Sequence, residues 1–178
     1  MSAQPALALY ARQHATSNKS RAAIFAGAKA VITEVGNYQS NIAEIAIRAQ
    51  VSKATIYNQF ADKAEMMAFL IDSEITRLTD LAIAADSREE SLYRLSVEIS
   101  QDLALRQMVE TDPTDIAKLM TISNHPLWVK VHQSLASIFG ADSAGCGLIL
   151  RWLIAQIASP ITEEESRTQA KRLVRTLI

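Results

Sequence analysis

Cysteine occurs once in the 178 residues, at Cys146. A lone thiol excludes an intramolecular disulfide and a cysteine-based zinc site, and it suits a reducing cytosol. Cys146 sits between glycines in an apolar run and reads as a small buried residue. Histidine is scarce too, with only His14, His125 and His132. The last two have no carboxylate at ligand spacing, so no metal site is expected. Glycine and proline together account for nine positions, with no glycine-rich phosphate loop and no nucleophile elbow. Paired acids such as Glu89-Glu90 fit helix starts. Nothing here calls for an enzyme or a cofactor. Long apolar runs are also missing. The most apolar stretch, Gly147 to Ala158, is interrupted by Arg151 and is too short to span a bilayer. The N-terminus lacks a basic segment followed by a long apolar run, so no signal peptide is read. A cytoplasmic protein without a membrane partner is expected.

What is present favours helices. Apolar residues make up 49% of the chain, strand-like alternation is hardly visible, and the length suits one domain or two small ones with a real core. Net charge is −1, but it is unevenly spread. Residues 1–63 carry seven Lys/Arg and three acids, whereas residues 64–178 carry eleven basic and sixteen acidic residues. A basic head on an acidic body is the footprint of a protein that meets nucleic acid with one end.

The basic part contains the most informative stretch, Asn41 to Lys63. Ile42, Ile45, Ala46 and Ala49 share one helical face. Asn41 is placed to cap that helix, with Glu44 completing a capping box. The helical spacing breaks at Gln50-Val51-Ser52. Ser52 then caps a second short helix, predicted over Lys53 to Phe60, in which Ile56 and Phe60 share a face. Two helices around a tight turn form the helix-turn-helix plan, whose second helix enters the major groove. The run Val51-Ser52-Lys53-Ala54-Thr55-Ile56-Tyr57-Asn58-Gln59-Phe60, followed by Asp62-Lys63, closely resembles the DNA-binding domain of TetR-family regulators. The resemblance extends from about Lys19 to Met67, roughly a quarter of the chain. Gln50 departs from it, since the family usually has glycine there. A non-glycine residue in a left-handed turn costs on the order of 1 kcal/mol.

Residues 1–18 are expected to be a partly ordered arm, in which PALALYARQ either makes a helical turn or stays loose. Helix 1 is predicted from about Asn18 to Val35, ended by Gly36. Gly27 within it costs roughly 1 kcal/mol relative to alanine and implies close approach of another helix, with helix 4 the expected neighbour. Helix 4 should run from Asp62 to about Ala84 and join head to body. The body follows as capped helices: Ser87 to about Val109, Asp112-Pro113 to about Ser123, Asn124-His125-Pro126 to Gly140, Asp142 or Ser143 to Ser159-Pro160, and Thr162 to the C-terminus. The expected fold is all-α, with about nine helices. It divides into an arm (1–18), a helix-turn-helix head (19–65) and a helical effector-binding and dimerisation domain (66–178).

Candidate DNA contacts are Lys19, Arg21, Asn41, Ser52, Lys53, Thr55, Tyr57, Asn58, Gln59 and Lys63. Lysines 19, 53 and 63 and Arg21 fall at expected helix starts, where the macrodipole disfavours cations but where phosphate binds well. The resemblance implies that Thr55 and Tyr57 contact DNA backbone or bases and that Lys63 contacts phosphate. The amides of Asn58 and Gln59 have the chemistry to read adenine in the major groove. The family resemblance also implies a homodimer on a pseudo-palindromic operator and a small-molecule effector, of unknown identity, that releases DNA from a repressor. Ile149, Leu153, Ile157, Leu173, Val174 and Leu177, with Ile178, are the candidate dimer face. Met108, Met120, Trp128, His132, Arg151 and Trp152, with Ile122 and Phe139, are the candidate effector contacts. Arg151 either anchors a ligand carboxylate or pairs with an acid at an interface. Asn124-His125-Pro126-Leu127-Trp128 resembles the AefR-like branch of the family. The rival reading is a helical interaction module that retains an inactive helix-turn-helix; the basic head argues against it.

Overall fold

A computed structural model describes the backbone of residues 4–121 and 125–177, with side chains from Ser17 onward in those ranges. Ile122, Asn124 and Ile178 lie outside the described residues. The described chain is all-α: α1 (Gln4–Gln39), α2 (Ile42–Arg48), α3 (Lys53–Tyr57), α4 (Lys63–Ile83), α5 (Arg88–Gln101), α6 (Leu103–Thr111), α7 (Pro113–Met120), α8 (Pro126–Phe139), α9 (Ser143–Ala158) and α10 (Glu163–Leu177).

Most helix starts follow from single capping side chains. Asn41, Ser52, Asp62, Ser87, Asp102 and Asp142 each accept a first-turn backbone N–H, satisfying donors the helix cannot. At α10 the capping box is reciprocal: Thr162 Oγ1 accepts from Glu165 N (3.2 Å), and Glu165 Oε2 accepts from Thr162 N (2.9 Å). Gly140 ends α8 with a left-handed φ of 63°.

Four expectations are corrected. The backbone from Gln4 is helical and continuous with α1, so Lys19 and Arg21 lie well inside that helix rather than opening it. Gly27 faces α2, not helix 4: a Cβ there would sit 2.7 Å from Ala49 N and 2.9 Å from Ala49 Cβ. The helix expected to run from Ser87 to about Val109 is two helices. Asp102 turns extended (ψ 108°) and its Oδ1 accepts from Ala104 N and Leu105 N, which restarts the chain as α6 and brings the described helices to ten. Finally, α3 closes at Tyr57, and Phe60 reaches the core from the following turn.

The helices enclose two cores. The first joins Ile24, Ala28 and Val31 of α1 to Ile45, Ile56 and Phe60, and recruits Met66 and Leu70 from α4 and Ala104 from α6. The second is built from Leu92, Leu95, Leu135, Phe139, Ile149 and Leu153, with Ala82 from the far end of α4. α4 therefore contributes to both. α6 packs along α1, so the head is held by a second element as well. Ser96, Ser100, Gln156 and Ser166 are buried in the body. Gln156 Oε1 accepts from both Ser96 and Ser100 at 2.8 Å, so these groups are satisfied rather than orphaned.

Candidate nucleic-acid interface and effector cavity

The helix-turn-helix is set by its turn. Ala49 caps α2, and Gln50 takes φ 54°, the only non-glycine residue at positive φ among those described. Val51 N then bonds Ala46 O at 3.0 Å. This directs α3 so that Ile56 is buried while Ser52, Lys53, Tyr57 and Asn58 are exposed. Ser52 Oγ and Thr55 Oγ1 lie 2.9 Å apart, and Ser52 Oγ also accepts from Thr55 N. Tyr57 is 54% exposed. Asn58 is the C-cap of α3, with its side chain in solvent. Lys53 pairs with no carboxylate among the described residues. Asn41 is exposed, but its Oδ1 is engaged in capping α2.

The other candidates are placed differently. Gln59 Oε1 is buried without a hydrogen-bond partner, so this amide oxygen turns into the protein rather than toward the exposed edge. The Arg21 guanidinium lies 5.8 Å from the Phe60 ring centre and 5.6 Å from that of Phe69; it braces the head through cation–π contact. Lys63, expected on phosphate, is engaged within the protein. Its Nζ donates to Asn37 O (2.5 Å) and Ser40 O (2.7 Å), closing carbonyls at the end of α1. Burial lowers its pKa, against the opposing charges of Asp112 and Asp115.

That junction holds a group the sequence did not disclose. Gly36 breaks α1 with φ 80°, and a Cβ there would come within 2.1 Å of Thr111 Oγ1 and 2.5 Å of Asp112 Oδ2. The Asp112 carboxylate uses that space. It accepts from Asn37 N (2.8 Å), Tyr38 N (2.9 Å) and Thr111 Oγ1 (2.8 Å). Burial opposes its ionisation, but the hydrogen bonds from Thr111, Tyr38 and Asn37 and the charge of Lys63 outweigh burial and hold the carboxyl below its ordinary value. An acid at the end of α6 thus grips the head just before the helix-turn-helix. Tyr38 itself is 86% exposed.

Beneath the head lies a cavity of about 260 Å³, just under the usual range for small-molecule sites, about 300–1,000 Å³. Leu105, Met108, Leu127, Trp128, Val131 and Ile157 are among its walls, with Lys29 and Ile32 of α1 at one side. Of the expected effector contacts among the described residues, only Met108 and Trp128 line it. Met120 packs against the body core. Phe139 is fully buried in that core. His132 Nε2 sits 3.4 Å from Ser143 O, and Trp152 Nε1 donates to Gln169 Oε1 at 2.7 Å. Arg151 is exposed and donates to Gly147 O of its own helix.

The expected dimer face is also partly corrected. Ile149 and Leu153 are buried in the chain's own core, at 0% and 5% exposure. Ile157 borders the cavity. Leu173, Val174 and Leu177 are half-buried against the body. The outward row of α9 is instead Ala144, Leu148, Arg151 and Ala155. The apolar character of α9 nearly all round concealed which side faced out.

Residues 24–69 match the family of bacterial regulatory proteins, tetR family. Over these residues the chain carries a tetR-family DNA-binding domain. The match coincides with the first core and the exposed edge of α3, so the protein is a DNA-binding transcriptional regulator. The matched residues stop short of Asn124–Trp128, so the AefR-like motif plays no part in the assignment. Among solved structures the fold is similar to that of the dihydroxyacetone kinase operon activator DhaS, with a TM-score of 0.62, 13% identity and coverage of 88% of this chain and 94% of that one. It is also similar to the TetR family repressor AlkX from Dietzia sp. strain DQ12-45-1b, with a TM-score of 0.56, 16% identity and coverage of 88% and 94%. The fatty acid degradation regulator FadR from Bacillus halodurans gives a TM-score of 0.58, 18% identity and coverage of 88% and 93%. At these identities the likeness is one of fold. No match was found among curated proteins. No single described helix is long and apolar enough to cross a membrane. Among the described residues no group of His, Cys, Asp and Glu is arranged to hold a metal ion.

Proposed function

We propose that the protein is a cytoplasmic, homodimeric repressor that binds a pseudo-palindromic operator and leaves it when a small molecule fills the body. The observation that carries this reading is the apolar cavity under the head, walled by α4 and α6 and reached by Lys29 of α1. A ligand there presses on the two helices that hold the helix-turn-helix. The head is taken as beginning at Lys19, with the change of role falling inside α4, near Leu70. Lys53, Thr55, Tyr57 and Asn58 are assigned to DNA, with Ser52 and Asn41 fixing the ends of their helices. Lys19 is assigned to phosphate. Lys63, Arg21 and Gln59 are assigned to holding the head together. The sign of regulation rests on the reading as a repressor; the relatives with similar folds include a named activator and a named repressor.

The proposed dimer face is the outward row of α9 with the adjoining edge of α10. Leu148 is 53% exposed among alanines and Gly147, an apolar patch that a two-fold axis can set against its own copy. The test is sedimentation of the protein with and without a duplex recovered by selection. Two chains per duplex are expected, and Leu148→Glu should give a folded monomer with operator affinity reduced at least about tenfold, since each half-site then binds alone. A monomeric Leu148→Glu variant that binds the operator as tightly as the parent would sink the dimeric reading.

A further inference from the structure

The mouth of the cavity carries five charged side chains from α1, α4 and α5 and from the break at Asp102. Lys29 Nζ lies 2.7 Å from Asp102 Oδ2 and 3.1 Å from Glu74 Oε2. Arg77 lies 3.1 Å from Glu74 Oε2 and 2.7 Å from Glu98 Oε2. All five line the cavity. Both cations are therefore already committed to carboxylates, and Glu74 is shared between them. Three acids against two bases leave one negative charge over. The second oxygens of Glu74 and Glu98, the Oε1 atoms, take no hydrogen bond among the described residues, although an ionised carboxylate has about four acceptor positions. The rest of the lining is almost entirely aliphatic, apart from Trp128, Thr79 and Ser134.

We propose that the effector is a molecule with an apolar body and a cationic head, an amine or quaternary ammonium, seated among Glu74, Glu98 and Asp102. The inference rests on the reading of the cavity as the effector site. A carboxylate head would meet a net negative mouth and would have to displace an acid from Lys29 or Arg77. A cation meets a net negative mouth in which the Oε1 atoms of Glu74 and Glu98 still have acceptor positions to spare. Its arrival also has a consequence for the head. The incoming charge competes with Lys29 for Glu74 and Asp102, and Lys29 is the side chain by which α1 of the head grips the body at this point. Partial exposure of the five groups, from 13% for Asp102 to 44% for Arg77, keeps the preference moderate and salt-sensitive.

The experiment titrates the full chain with octylamine, octyltrimethylammonium, octanol and octanoate, below micelle formation, at two salt concentrations. Calorimetry and tryptophan fluorescence report binding, since Trp128 lines the cavity. The two cations should bind about tenfold more tightly than octanoate, with the margin shrinking in high salt. Glu98→Gln removes the excess charge while leaving Arg77 paired to Glu74. It should bring amine and acid to near-equal affinity and leave octanol unchanged. Octanoate binding as tightly as the amines would overturn the cationic class while leaving the cavity as the effector site. No heat and no fluorescence change with any of the four would overturn the cavity reading, and this inference with it.

Discussion

Replacing Asp112 by asparagine tests how firmly the body holds the reading head. The wild-type carboxylate is 6% exposed and accepts three hydrogens, from Asn37 N, Tyr38 N and Thr111 Oγ1. Asparagine keeps one oxygen. Its NH2 must then face either Tyr38 N or the Asn37 N and Thr111 Oγ1 side, setting donor against donor. One charge-assisted hydrogen bond is lost, worth about 1.5–3 kcal/mol, and a buried donor is left unsatisfied, so Asp112→Asn should destabilise the protein by about 2–4 kcal/mol. That is a large fraction of the total for a domain, about 5–15 kcal/mol. The sign with pH follows from the depressed folded pKa. The contribution of the carboxylate is complete above the ordinary value of 3.8 and is lost as pH falls through the lower folded value. Denaturant midpoints at neutral pH and at successively lower pH should show the gap between wild type and variant closing only below the ordinary carboxyl range. Amide exchange at Asn37 and Tyr38 should accelerate in the variant. A variant as stable as wild type at neutral pH, or a gap that closes well above that range, would refute the reasoning.

Three further outcomes are expected. Gln50→Gly relieves the positive φ of 54° and should stabilise the protein by about 1 kcal/mol; an unchanged or lower denaturant midpoint contradicts this. Gly27→Ala drives a Cβ into the backbone of Ala49 and should cost about 1–3 kcal/mol as overpacking, with weakened DNA binding because α2 is pushed from α1; thermal unfolding and a duplex titration measure the two effects. Lys53→Ala should weaken operator and random duplex alike and reduce the salt slope by about one, whereas Asn58→Ala should relax preference at one base pair; equal losses on both duplexes for both variants would reject that division of roles.

The head was legible because its punctuation is local. Asn41, Ser52 and Asp62 cap the helices that their sequence context announces, and the strain at Gln50 follows from the turn it occupies. The boundaries of α4, α8 and α9 were likewise fixed by caps and by Gly140. Long-range pairings were not legible. Asp102 sits inside a run with helical periodicity, and only its bond to Lys29 and its capping of α6 show that the helix stops there. Lys63 opens α4 as expected, yet its partners are carbonyls more than twenty residues away, which no spacing rule reveals. The sequence marks Gly36 as a helix stop, but the reason it must be glycine is the approach of Thr111 and Asp112 from the body. On α9 there is no periodic signal because nearly every position is apolar, so the sequence does not show that Ile149 and Leu153 face the core. Cavity contacts suffered similarly: Trp152 and His132 sit on helices of the body, yet their hydrogen-bond partners draw them away from the cavity.

The central claim is that this chain reads DNA through the exposed edge of α3. The most direct test is titration of the purified protein against a random-duplex pool at two salt concentrations, followed by sequencing of the bound fraction. The account expects one palindromic site to be enriched, with affinity falling steeply as salt rises because phosphate contacts release counterions. No enrichment, together with weak salt dependence, would contradict it and leave the helix-turn-helix as a scaffold without a reading function.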